Sequence, residues 1–207
     1  MGKLDDKTIL VTGHTGFKGS WLSIWLTQLG AKVVGISDSE VGKPSNFSVS
    51  AISTVIEDHR LDIRDTDAIK ALVEKVQPDF VFHLAAQALV RPSYENPIGT
   101  MTINAIGTAN VLDALRVLNK KVVAVMITSD KAYDNVEWVW GYRESDRLGG
   151  KDPYSASKGM AELVIRSYVE SFFNDPDSNI RVGITRAGNV IGGGDWAEDR
   201  IVSDCMR

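Results

Sequence analysis

The sequence predicts an α/β protein with a doubly wound parallel sheet, and three observations predict it. Short β-branched runs alternate with longer stretches of helical period, the pattern of βαβ units. The first run passes directly into a glycine-rich turn and then a helix. Phe80-Val81-Phe82-His83-Leu84 is a run without polar alternation, as in a strand covered by helices on both faces.

Thr8-Ile9-Leu10-Val11-Thr12 is the first strand. The stretch 17–29 is helical, with Trp21, Leu22, Trp25 and Leu26 forming one apolar face and Gly30 closing it. Lys32-Val33-Val34-Gly35-Ile36 is the second strand, and the polar stretch 37–53 shows no clear period. Thr54-Val55-Ile56-Glu57 reads as a short third strand. Asp65 or Thr66 caps a helix over 68–76, where Ile69, Leu72, Val73 and Val76 keep helical spacing until Pro78 stops it. After the fourth strand, 80–84, a long helix covers 97–118 and leads into the strand 122–127. Pro153 opens a helix that extends to 173. Ile180-Arg181-Val182-Gly183-Ile184-Thr185 is the sixth strand, and no repeat or Pro/Ser-rich linker interrupts the series.

Composition narrows the function classes. With 207 residues, 43% of them hydrophobic and 24% charged, the chain can bury one substantial core. A net charge of −4 and a pI near 5.4, with no basic block, give no electrostatic reason to bind nucleic acid or an anionic membrane. A single cysteine, Cys205, excludes an internal disulfide framework and fits a reducing compartment. Without an apolar leader or a membrane-length run, the expectation is a soluble, cytoplasmic protein. His14, His59 and His83 lack ligand spacing, so no metal is expected.

Thr12-Gly13-His14-Thr15-Gly16-Phe17-Lys18-Gly19 spaces three glycines three apart between the first strand and the first helix. Gly13 permits the tight turn, Gly16 lets the backbone approach a pyrophosphate, and Gly19 lets helix and strand pack closely. The helix N-terminus then offers free N–H groups and a positive dipole end to phosphate. Together these mark a dinucleotide site in a Rossmann fold. Asp38, just past the second strand, either accepts from the adenosine ribose hydroxyls, favouring NAD over NADP, or belongs to a capping turn. Asp62-Ile63 either holds the adenine edge or is a solvated loop. Lys18 and Lys43 are candidates to reach a phosphate.

Tyr154 and Lys158 lie four apart on one face of the helix opened by Pro153. An ammonium beside a cationic nicotinamide favours tyrosinate; a shift from about 10 to about 7 requires roughly 4 kcal/mol. Thr128-Ser129-Asp130-Lys131 leaves the carboxyl end of the fifth strand, where such sheets place their ligands, and offers a hydroxyl, a carboxyl and an ammonium in succession. Asn189 and Arg200, beyond the sixth strand, either bind a substrate diphosphate or serve as a turn residue and a surface cation. Asn104, in the interior of the long helix, either holds a water or backbone carbonyl near Tyr154 or caps a bend. Trp138, Trp140 and Tyr142 either flank a ligand or support a subunit contact.

The glycine turn, the Leu84-Ala85-Ala86-Gln87 strand exit, Tyr154 with Lys158, and Arg186-Ala187-Gly188-Asn189-Val190-Ile191-Gly192 together resemble the extended short-chain dehydrogenase/reductase family. Within it, Gly13 to Leu22, Thr128-Ser129-Asp130-Lys131, Trp138 to Glu144 and Gly193-Gly194-Asp195-Trp196 resemble the nucleotide-sugar 4,6-dehydratases. Asp130-Lys131 differs from the thymidine-linked members, which carry Asp-Glu there. The resemblance covers nearly the whole chain. It implies a 1–190 NAD-binding domain with the catalytic residues, and a 191–207 start of a substrate region that is largely missing.

The implied activity is an internal redox elimination on a nucleotide sugar. Tyr154, with Lys158, would take the 4-hydroxyl proton as C4 is oxidised; Ser129 would bond the 4-oxygen. Asp130 would protonate the departing 6-hydroxyl and Lys131 would take the C5 proton, which requires a lysine made less basic by burial or neighbouring charge. The implied cofactor contacts run from Gly13, Gly16, Phe17 and Gly19 through Asp38, Asp62 and Ile63 to Leu84, Ala85 and Ala86, and include Thr128, Tyr154 and Lys158. Gln87, Asn189 and Arg200 would meet the substrate. The family also implies a homodimer through 97–118 and 154–173. A 4-epimerase of the same family and a dinucleotide-binding module without activity are the competing readings.

Overall fold

The computed structural model describes residues 4–42 and 44–206, so Lys43 lies outside the described residues. Among them, the strands β1 (Thr8–Thr12), β2 (Lys32–Ser37), β3 (Glu57–Arg60), β4 (Phe80–His83), β5 (Val122–Ile127) and β6 (Ile180–Thr185) form one parallel sheet. Their order is β3-β2-β1-β4-β5-β6. The chain runs outward from β1 to β3, returns to the centre, and runs outward again from β4 to β6. The carboxyl ends of β1 and β4 therefore flank the switch point where open α/β sheets take ligands. This is the doubly wound fold the sequence predicts.

The helices are α1 (Phe17–Gln28), α2 (Asn46–Ser50), α3 (Thr66–Val76), α4 (Val90–Glu95), α5 (Pro97–Met101), α6 (Gly107–Leu115), α7 (Pro153–Tyr168) and α8 (Ile201–Met206). Strand side chains alternate between faces, so β1 and β2 each supply two cores. Ile9 and Val11 pack with Val33 and with Leu26 of α1. Leu10, Val34 and Ile36 face the other way, into Ile69 and Val73 of α3, Leu112 and Leu115 of α6, and Ile165 of α7. Fully burying each such aliphatic side chain contributes roughly 1.5–3 kcal/mol. No helix among the described residues is long and apolar enough to cross a membrane.

Four elements depart from the sequence expectation. In α1 the face against the sheet is Gly19, Ser20, Ser23 and Leu26, whereas Trp21 and Trp25 are exposed. The reason is the close approach of helix and turn: a Cβ on Gly19 would stand 2.1 Å from the Gly13 carbonyl oxygen, so only small residues fit. The hydroxyls of Ser20 and Ser23 donate to the Phe17 and Gly19 carbonyls and are buried at little cost.

The third strand is Glu57–Arg60, not 54–57; Ile52–Thr54 is a single 3-10 turn. The pairing from Val34↔Glu57 to Ser37↔Arg60 puts charged residues on a sheet edge, where one side is open to water. Those charges are matched: Arg60 with Asp58, and His59 with Glu57. His59 in turn holds the Glu57 carboxyl below its ordinary range. Asp58 also accepts from His14 Nε2 at 2.8 Å. His14 is fully buried over Gly35, where any Cβ would run into its ring at 2.4 Å, with Phe47 of α2 edge-on at 5.3 Å.

The helix expected over 97–118 starts and breaks differently. A separate turn, α4, precedes it, and Asn96 caps α5 by accepting from the Gly99 N–H at 2.8 Å. Between α5 and α6 the helix widens to π geometry over Thr102–Ile106. The helix opened by Pro153 likewise ends at Tyr168 and continues as a π segment, Val169–Phe173.

Candidate active site

Gly13, with φ +74, has its N–H on the Ile36 carbonyl at 2.7 Å and lies so close to the β4 exit that a Cβ would stand 2.7 Å from Ala85 N. The turn then reverses at Gly16, whose extended backbone caps α1. The first-turn N–H groups of α1 point out of the helix end, with no acidic side chain in that turn to compete for them. A glycine cradle with free donors at a helix N-terminus fits a dinucleotide diphosphate.

A buried chain of hydrogen bonds joins this turn to the catalytic helix. Ala85 N–H donates to Thr12 Oγ1 at 3.2 Å, and Thr12 Oγ1 lies 2.7 Å from His83 Nδ1. His83 Nε2 lies 3.0 Å from Thr108 Oγ1, which donates to the Asn104 carbonyl at 2.6 Å. The direction of those donors fixes His83 as the Nε2–H tautomer. Asn104, set inward by the π turn, accepts from Gln87 N–H and donates to the Gln87 carbonyl and to Ser157 Oγ, at 2.8, 3.1 and 2.7 Å. Of the alternatives open in the sequence, the backbone-carbonyl role is the one realised.

Burial, with the Lys158 charge nearby, lowers the His83 pKa to about 3. An unfolded chain regains the ordinary value of 6.5, so below it the unfolded state binds the extra proton. Stability attributable to this site is complete above pH 6.5 and is lost as pH falls toward 3, at about 1.4 kcal/mol per unit. Urea midpoints followed down from neutral pH should show this slope in the native chain and a flatter one in His83→Gln.

Two cavities open beside the switch point. The first, about 380 Å³, is walled by the glycine turn, by Ser37 and Asp38 after β2, by Asp62 and Ile63 after β3, and by Leu84, Ala85 and Ala86 after β4. The second, about 660 Å³, contains Ser129, Asp130, Lys131, Tyr154 and Lys158 together, with Asn189 and Arg200 on the far wall. Phe17, Lys18, Leu84, Ala86 and Arg200 belong to both, so the two form one continuous groove.

Asp152 pins the start of α7, accepting from Ser155 N–H at 2.9 Å and Ser155 Oγ at 2.6 Å, and Pro153 takes the first helical position. Lys158 Nζ then lies 5.9 Å from the Tyr154 ring centre. Burial and the Lys18 charge lower the Lys158 ammonium to about 8, with Glu162 opposing. Burial raises the Tyr154 phenol, while a hydrogen bond with Ser129 and the Arg200 charge pull it down. The lowering expected of Tyr154 from the sequence is thus not produced by the chain's own groups. Desolvation outweighs them. Ser129 Oγ also donates to Asp130 Oδ1 at 3.0 Å. Lys131 lines the same cavity and is exposed to solvent.

Several expected ligand contacts are otherwise engaged. Asp62 borders the first cavity, but Arg64 Nε reaches both its oxygens, at 3.0 and 2.8 Å, and holds its carboxyl below the ordinary range. Asp38 is exposed at the cavity edge and accepts from Ser39 Oγ at 3.0 Å. Gln87 lies in the first cavity rather than the second, because its carboxamide is spent on Leu89 and Thr100. Thr128 lines the second cavity, and its Oγ1 donates to Glu162 Oε1 at 2.6 Å. Trp138 stacks on Tyr142 at 5.4 Å, Tyr142 on Tyr133 at 5.0 Å, and neither Trp138 nor Trp140 borders the second cavity.

Sequence reasoning missed the pair beneath this stack. Arg186 lies 4.5 Å over the Tyr133 ring and makes a bidentate ion pair with Glu162, whose side chain is 2% exposed. The spacing carried the signal: Tyr154, Lys158 and Glu162 fall at i, i+4 and i+8, one helical face.

Comparison with known proteins agrees with this geometry. The chain is 49% identical, over 97% of its length, to CDP-glucose 4,6-dehydratase of Salmonella typhimurium, of which it covers 57%. The solved UDP-glucuronic acid 4-epimerase of Bacillus cereus, in complex with UDP-glucuronic acid and NAD, superposes with a TM-score of 0.78 at 27% identity, over 95% of this chain and 60% of that one. UDP-glucose 4-epimerase of Thermotoga maritima gives 0.82 at 24% identity, over 95% and 61%, and shows the shared fold. The chain spans about half the length of the curated relatives it matches. The family model for GDP-mannose 4,6 dehydratase matches residues 10–179, most of the sheet and its helices, and the chain belongs to that family.

Proposed function

We propose that this chain carries the cofactor-binding and catalytic half of a nucleotide-sugar dehydratase that converts CDP-glucose to its 4-keto-6-deoxy form with NAD. The observation that carries the reading is the meeting of Ser129, Asp130, Lys131, Tyr154 and Lys158 in a cavity continuous with the glycine cradle. The nucleotide is taken from the Salmonella relative. Asp38, at the end of β2, supports NAD over NADP, since a carboxylate there repels a 2′-phosphate.

Bound NAD would accept a hydride from the sugar C4 and return it at C6. The remaining steps fall to the chain. Tyr154 removes the 4-hydroxyl proton, and Ser129, bonded to the same phenol, holds the 4-oxygen. Once C4 is a carbonyl the C5 proton is acidic; Lys131 accepts it while Asp130 gives a proton to the departing 6-oxygen, and Lys131 returns the proton to C5 as the hydride reaches C6. Asn189 and Arg200 face the diphosphate from the far wall. We further propose a homodimer through 97–118 and 154–173, where Ile98, Ile106, Met160 and Leu163 are exposed, and a cytoplasmic location for a chain with one cysteine.

Incubation of the chain with NAD and CDP-glucose should yield a CDP-linked 4-keto-6-deoxy sugar, identified by NMR. A C4 epimer would transfer the chain to the epimerase reading. Retention of NAD without turnover or binding of CDP-glucose would leave a dinucleotide-binding module.

A further inference from the structure

Two cations, Lys18 and Arg200, border both cavities, and a third, Lys158, lines the second. Among the described residues only Arg200 has a carboxylate within ion-pair distance, Asp195 at 3.5 Å. Lys18 stands in the first turn of α1. Its backbone belongs to the glycine turn, and its side chain borders both cavities. Its ammonium is held below the ordinary value by desolvation in the groove and by the Arg200 charge, and it acts in turn on Lys158.

Arg200 reaches the same point from the opposite wall. The segment 191–200 crosses the start of α1, tied down by Trp21 Nε1 on the Gly193 carbonyl at 2.8 Å and by Gly192, where a Cβ would stand 3.0 Å from the Phe17 ring. Arg200 Nε is buried there, 3.5 Å from Asp195 Oδ2 and without a hydrogen bond among the described residues. Like charges gathered in a partly desolvated groove repel, and an anion between them turns that repulsion into attraction. The cofactor diphosphate has its donors in the backbone of the cradle, so it does not need the Lys18 ammonium, which shares the second cavity with Asn189 and Arg200.

We propose that Lys18 binds the diphosphate of the sugar nucleotide, opposite Arg200, at the passage between the two cavities. This rests on the dehydratase reading above. It makes the glycine turn bifunctional: the backbone serves one diphosphate and a side chain the next.

The chain saturated with NADH is titrated calorimetrically with CDP-glucose and, separately, with inorganic pyrophosphate, which needs neither base nor sugar recognition. Lys18→Met should weaken both about tenfold or more, as loss of a charge-assisted bond does, and Lys18→Arg should recover most of the affinity. NADH affinity, followed by nicotinamide fluorescence, should stay within about twofold. Equal affinities in Lys18→Met and the native chain overturn the proposal, as does a parallel loss of NADH affinity, which would assign the lysine to the cofactor. Pyrophosphate binding without CDP-glucose binding by the native chain counts against the dehydratase reading alone, and Lys18 is then judged on pyrophosphate. Binding of neither overturns the proposal.

Discussion

Tyr154→Phe is expected to lower CDP-glucose turnover about 10³-fold while leaving NADH affinity within about twofold, the size of effect that loss of a positioned acid–base group produces. The substitution removes one oxygen and leaves the ring over Lys158 in place. The helix start is held independently by Asp152 and Pro153, so the fold has no reason to respond. What disappears is the hydroxyl bonded to Ser129 in the second cavity. Burial raises that phenol, and Asp130 and Asp152 oppose its ionisation. In the chain the Ser129 hydrogen bond and the Arg200 charge favour the ionised form, and a bound nicotinamide would add to them. The rate of C4 oxidation in a single turnover should therefore rise with pH as the phenol ionises, and that rise should vanish in Tyr154→Phe. Nicotinamide absorbance follows the first half-reaction directly. Turnover near the native rate in the variant would remove Tyr154 from its assigned role.

β1 and β2 were legible because they are buried on both faces and read as apolar runs, and β5 and β6 because their residues are largely β-branched; 8–12, 32–36, 122–127 and 180–185 fell where the sequence puts them, although the last is an edge strand. The glycine turn was legible for a related reason: a backbone that passes 2.7 Å from another leaves no choice of residue. The third strand was misplaced because an edge strand has no apolar requirement. Glu57–Arg60 is held by backbone pairing and by charges that only the fold brings together. The face of α1 was misread because Trp21 and Trp25 have the hydropathy of a core, whereas the tight packing at Gly19 selects for small side chains.

The site divides in the same way. The five catalytic candidates are clustered in two short motifs, so their meeting could be read from spacing once the strand and helix ends were placed. The resemblance implies ligand contacts at Asp62, Gln87 and Thr128, and in the structure Arg64, Thr100 and Glu162 bond the same side chains. Arg64 lies two residues from Asp62 and is visible locally, whereas the meetings of Gln87 with Thr100 and of Thr128 with Glu162 depend on the fold.

Glu162→Gln is expected to destabilise the chain by about 3–5 kcal/mol, because removing one partner of a buried ion pair leaves the other charge without compensation. Arg186 is that partner: its guanidinium is 16% exposed, it is bound to both carboxylate oxygens, and Glu162 pushes its pKa further up. The same carboxylate accepts from Thr128 at the end of β5, so the exits of β5 and β6 are both anchored to α7 through one side chain. Urea midpoints measure the loss. The double variant Glu162→Met with Arg186→Met should recover much of it, since apolar replacements of a buried pair are often near neutral. A second consequence separates electrostatics from simple unfolding. Glu162 is the one attractive charge that acts on Lys158 against burial and Lys18, so in any folded Glu162→Gln chain the ammonium falls below its value of about 8. Reductively methylated chain, with Lys158 followed by NMR through a pH titration, should show that displacement. A Glu162→Gln chain within about 1 kcal/mol of native stability and with Lys158 unmoved would mean that the pair neither holds the strand exits nor sets the charge at the catalytic lysine.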